Sequence, residues 1–197
     1  MSYFARVFSK TARPAPFGEL VAAFGSFDVS PKVELVDGTE ESWNELLVRD
    51  AIGRKICLIQ RNQPGDGLFD EELDEFLDRL AECRPKRGAG WVKEYLGQVT
   101  TIYAAQYLHA ASDQPDGCPS PADLLWKIKQ IVGGIVQADG EGFSNERGYT
   151  VVWQFSANAA GPWAVAVLDE DGNWQTGKIE LDNETHRSAF LAGLLPK

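Results

Sequence analysis

Residues 46–59 read Leu46-Leu47-Val48-Arg49-Asp50-Ala51-Ile52-Gly53-Arg54-Lys55-Ile56-Cys57-Leu58-Ile59. Two runs of branched apolar residues flank a polar segment holding Asp50 and Gly53. Branched side chains suit a pleated, half-buried surface, and Asp and Gly accept the backbone angles of a tight turn. The stretch therefore reads as a hairpin, and a hairpin forces antiparallel pairing. The same grammar recurs on both sides. Val33 and Leu35 lead to an Asp37-Gly38 turn. Thr100 to Leu108, Ile135-Val136, Tyr149 to Phe155 and Trp163 to Leu168 are strand-like, and Trp174 to Leu181 returns after Asp169-Glu170-Asp171-Gly172-Asn173.

Helical spacing appears between these runs. Phe17 to Gly25 is a short helix stopped by glycine. Leu73, Phe76, Leu77 and Leu80 recur at the interval of one buried helical stripe, with Asp70 as the expected cap and Pro85 beyond the end. Arg84 to Gly90 is basic and glycine-rich and is expected to be a loop. A helix carrying Trp91, Tyr95, Leu96 and Val99 follows it. Ser120-Pro121-Ala122-Asp123 is a capping-box start for an apolar face of Leu124, Leu125, Ile128, Ile131 and Val132, and Gly133-Gly134 stops it. Glu184 to Leu195 closes the chain as a helix. Strand runs joined mainly by hairpin turns, without regular β-α alternation, predict an α+β fold: a largely antiparallel sheet with four to five helices packed on it. One domain over 1–197 is expected, with residues 1–16 as a peripheral segment ending in the Pro14 and Pro16 linker.

Composition limits the function classes. Hydrophobic residues at 44% and six Trp, ten Phe and five Tyr supply a core without disulfide or metal support. Cys57, Cys83 and Cys118 are odd in number and lack C-x-x-C spacing, which disfavours a disulfide scaffold or a structural zinc site and points to reduced thiols in the cytoplasm. The N-terminal segment has Arg6, Lys10 and Arg13 and no acid before Glu19, a faint transit-peptide composition, but a first strand or helix is the simpler expectation. No apolar run is long enough to span a bilayer. The net charge of −10 argues against nucleic-acid binding, which requires neutralising phosphates.

Motifs are sparse. There is no P-loop, no dinucleotide-binding glycine pattern and no nucleophile elbow. His109 and His186 stand alone, and Cys57 sits in an apolar strand pattern. The Asp169–Asn173 segment partly matches a calcium loop, with Glu180 at the twelfth position but Trp174 where glycine is needed at the sixth, so a hairpin turn is preferred. Two segments remain. Gln137 to Glu146 carries Asp139, Glu141, Phe143, Asn145 and Glu146 and is expected to be a polar loop. Its carboxylates would suit acid–base work or a hard cation, and the segment a small ligand, with Trp153 or Trp163 as an apolar wall. Residues 66–82 hold eight acids against Arg79, and Glu71, Glu72, Glu75 and Asp78 would lie outward on the helix.

The leading expectation is a non-enzymatic binding protein of a bacterial accessory type, an acidic inhibitor- or immunity-type chain that binds a basic protein partner through that helix. The alternative is an enzyme or small-ligand binder built on the Asp139–Glu146 loop. No cofactor, metal, nucleic acid or membrane is expected in either case.

Overall fold

The computed structural model describes residues 3–108 and 119–196, so His109 and Cys118 lie outside the described residues. The chain is α+β, with five helices and ten mostly antiparallel strands among the described residues. It divides into two compact units, residues 1–69 with 99–134 and residues 70–98 with 135–197.

In the first unit the strand order is β1 (Phe4–Ser9), β5 (Thr101–Tyr107), β4 (Lys55–Asn62), β3 (Trp43–Arg49), β2 (Lys32–Gly38), and every neighbouring pair is antiparallel. The β3–β4 turn is organised by Asp50. Its Oδ1 accepts the amides of Ile52 and Arg54 at 3.1 and 2.8 Å, and its Oδ2 accepts from Arg54 Nε at 2.7 Å. Burial works against the charge of Asp50, but the Arg54 and Ile52 hydrogen bonds and the Arg54 charge outweigh it, so its carboxyl sits below the ordinary carboxylate value. Val48, Cys57 and Ile59 from this hairpin are wholly buried. The segment after β1 is pinned rather than loose. Trp43 Nε1 donates to the Ala15 carbonyl at 2.8 Å, and the Ala15 amide donates to the Tyr103 hydroxyl at 3.1 Å.

The helices of this unit are α1 (Phe17–Phe24) and α4 (Pro121–Val132). Ser120 and Asp123 form a reciprocal capping box at the start of α4. Its end is held by Ser9 Oγ and Thr11 Oγ1, which both donate to the Val132 carbonyl. The expectation that the helices pack on the sheet needs correction. α4 lies against β1 and β5, but α1 packs on α4. A helix as short as α1 buries only one stripe, here Leu20 and Phe24.

The second unit orders its strands β10 (Trp174–Glu180), β9 (Pro162–Leu168), β8 (Thr150–Trp153), β7 (Gly142–Ser144), β6 (Ile135–Ala138). Among the described residues its neighbouring strands pair antiparallel except β8 and β9, which run parallel and pair at Thr150 and Val165. Its helices are α2 (Gly67–Leu80), whose first three residues belong to the other unit, α3 (Lys86–Leu96) and α5 (Glu184–Leu191). Val165, Val167, Ile179, Leu181 and Phe190 form a core between the sheet and α5.

Three local expectations fail for identifiable reasons. The cap of α2 is Asp66, whose Oδ1 accepts the Phe69 amide at 2.6 Å, so Asp70 already lies inside the first turn. Arg84 to Gly90 is not a loop, because α3 begins at Lys86. Gly88 is glycine for packing, not for flexibility: a Cβ there would stand 2.2 Å from the Val151 carbonyl oxygen. Third, Gln137 to Glu146 is not one loop, because β7 runs through its middle.

Candidate functional site

The ends of β7 are two tight turns. In the first, the Glu141 amide donates to the Ala138 carbonyl at 3.1 Å across Asp139-Gly140. In the second, Asn145 is the organiser. Its backbone bonds Gly148 and Tyr149, and its Oδ1 accepts the amides of Arg147 and Tyr149 at 3.0 and 3.1 Å. Asn145 is 1% exposed, and its Nδ2 is buried without a hydrogen-bond partner among the described residues.

β7 keeps the two turns apart by about 10 Å, three residues of extended chain. Asp139 and Glu141 therefore sit at one end, and Asn145 and Glu146 at the other. Gln137 Nε2 lies 3.4 Å from Asp139 Oδ1 and 3.3 Å from Gln154 Oε1. Phe143 is wholly buried, edge-on to Phe76 of α2 with centroids 5.5 Å apart. Trp153 is absorbed into an aromatic group with Phe155 and Phe190, and Arg187 lies over its ring. Trp163 Nε1 donates to Thr150 Oγ1 at 2.7 Å. Tyr95 of α3 is the titratable group near the second turn. Burial first, and the Glu146 carboxylate second, push its phenol up to about 12.

The Asp169 turn is likewise internally satisfied. Asp169 Oδ1 accepts the amides of Asp171 and Asn173, and its Oδ2 accepts from Gln175. These bonds hold its carboxyl below the usual value, led by the Asn173 amide. His186 Nδ1 accepts the Glu180 amide at 3.1 Å. Among the described residues no three His, Cys, Asp or Glu side chains gather as a metal site. No helix there is long and apolar enough to cross a membrane.

On α2, Phe76 and Leu80 are buried while Asp70, Glu71, Asp74, Glu75 and Asp78 are exposed and Glu72 is half-buried. Glu75 pairs with Arg79 at 3.3 Å, an exposed contact worth little. The basic residues that follow turn elsewhere: Lys86 Nζ donates to the Ala81 carbonyl just beyond α2, and Arg87 pairs with Glu170 at 3.3 Å.

A concavity not foreseen from the sequence lies beyond the second turn. It holds about 350 Å³ and is lined by Arg147, Gly148 and Tyr149 before β8, Ala164 of β9, and Thr176, Gly177 and Lys178 of β10. Its residues come from three separated segments. Gly177 carries no signal of the concavity, since the room its missing side chain leaves is taken by Leu195, at 3.1 Å from where a Cβ would stand.

No protein-family model, curated protein or solved structure matches this chain.

Proposed function

We propose that this chain is a non-enzymatic binding protein that docks a basic protein partner through the outward face of α2, as an acidic inhibitor- or immunity-type protein would. The observation that carries the proposal is the division of that helix. Phe76 and Leu80 of its apolar stripe are buried and Leu73 and Leu77 half-buried, while Glu71, Glu75 and Asp78, with the half-buried Glu72, stand on a face where Arg79 is the one cation. A field of one sign over a rigid helix speeds encounter with a partner of the opposite sign.

The test starts with affinity capture from native lysate at low and high salt. Association rates of the captured basic protein are then measured against a variant carrying Glu71→Lys, Glu72→Lys, Glu75→Lys and Asp78→Lys. A second variant reverses Glu19, Glu40, Glu41 and Glu184, which are exposed elsewhere, and so changes net charge equally. Docking on α2 requires the first variant to associate at least about tenfold more slowly at low salt than the second. Equal rates for the two would leave net charge as the whole effect and refute the α2 face.

A further inference from the structure

Residues 135–196 hold nine acids and three bases, Arg147, Lys178 and Arg187. In so acidic a stretch, the placement of each base is informative. Arg187 is engaged, donating to the Leu181 and Ala157 carbonyls and lying over Trp153. Arg147 and Lys178 are different. Both line the concavity between the second turn and β10, and neither side chain has an ion-pair or hydrogen-bond partner among the described residues. The acids nearest in sequence, Glu146 and Glu180, do not line it.

We infer that this concavity is a binding site for a small organic ligand bearing an oxyanion head, a phosphomonoester or a carboxylate, held between Arg147 and Lys178. Two hydroxyl groups in the lining, Tyr149 and Thr176, also lack intramolecular partners among the described residues and are available to the same head group or its bridging ester oxygen. The Tyr149 ring offers a flat wall for a planar body. Gly148 and Ala164 keep the floor shallow, so a ligand approaches backbone and side chains alike. The volume of about 350 Å³ is at the small end for organic ligands and much larger than a bare phosphate needs. Arg147 and Tyr149 are presented by a turn that Asn145 fixes with two side-chain hydrogen bonds, so part of the geometry exists before binding. The site takes an anion, not the cation that the carboxylates of residues 139–146 would have suited, and it does not depend on α2 docking a partner.

The experiment is a titration of the full chain, labelled with ¹⁵N, using phenyl phosphate and benzoate, with benzyl alcohol as the neutral control. Binding here predicts amide shifts centred on Gly148, Gly177 and Lys178 that saturate with at least one of the two anions and not with benzyl alcohol. Arg147→Gln and Lys178→Gln alter exposed side chains. Each should weaken the anion about tenfold or more, as loss of a charge-assisted hydrogen bond does, while leaving the thermal midpoint in place. Three results overturn the inference: no saturating shifts with either anion up to several millimolar, shifts centred elsewhere, or affinity unchanged in the double variant.

Discussion

Replacing Gly88 with alanine sets two opposed effects against each other, and the structure decides the sign. Alanine favours a helix over glycine by up to about 1 kcal/mol. Gly88 sits in the buried face of α3, where a Cβ would meet the Val151 carbonyl oxygen at 2.2 Å and its carbonyl carbon at 3.2 Å. Carbon–oxygen contacts settle near 3.3 Å or beyond, so α3 and β8 must part by about 1 Å. Overpacking of this kind costs about 1–3 kcal/mol. The same displacement strains the 2.9 Å bond from the Trp153 amide to the Arg84 carbonyl, which ties the residues before α3 to β8 and is worth about 1 kcal/mol. The net expectation is destabilisation by about 2 kcal/mol. Gly90 provides the control, since it lies in the same helix, is exposed and has open space at its Cβ. Gly90→Ala should stabilise by up to about 1 kcal/mol. Urea unfolding followed by tryptophan fluorescence reads both variants, because Trp91 of α3 packs edge-on against Trp174 at 5.1 Å. Gly88→Ala as stable as Gly90→Ala would refute the close approach of α3 to β8.

Two further expectations concern pH. The folded-state pKa of Asp50 is lowered, so its contribution to stability is present above about pH 4 and is lost as pH falls through the folded value. Asp50→Asn should therefore lower the melting midpoint near neutrality, and the gap from the unaltered chain should narrow toward pH 2; a constant gap would argue against the turn assignment. The folded-state pKa of Tyr95 is raised, so its stabilisation is complete below about pH 10 and is lost as pH rises from there toward 12. The absorbance difference at ~295 nm between the unaltered chain and Tyr95→Phe should titrate near 12, and lower in Glu146→Gln. A midpoint near 10 would contradict the burial of that phenol.

The strands were legible where the chain alternates or runs in branched residues beside a turn, as at 46–59 and 163–181. The capping box at Ser120 and Asp123 was legible because both partners lie within one turn. What escaped depends on partners distant in sequence. Gly88 and Gly90 carry the composition of a loop, and only the Val151 carbonyl explains why the first of them belongs in a helix. β7 was hidden because Gly142 has φ 115°, which reads as loop, while a Cβ there would meet the Val152 carbonyl oxygen at 2.0 Å. Asn145 was singled out as a site residue for its polarity. The structure gives it a positioning role, holding the turn that presents Arg147 and Tyr149. The concavity itself could not be read locally, since its lining joins residues 147–149, 164 and 176–178 only through strand register.

Salt separates the two binding surfaces. A basic protein approaching α2 is drawn by the field of many acids, and that field reaches ~30 Å at 0.01 M salt but only ~8 Å at 0.15 M. Its association should therefore fall steeply between those conditions. A small anion approaching Arg147 and Lys178 meets the opposite situation. At long range it is repelled by a chain of net charge −10, and only at contact do the two cations attract it. Salt screens the distant repulsion more completely than the contact pairing. The two changes oppose each other, and the affinity of phenyl phosphate should vary only shallowly with salt. A steep loss of that affinity would mean that the anion is held by a diffuse field and not by two side chains lining one concavity.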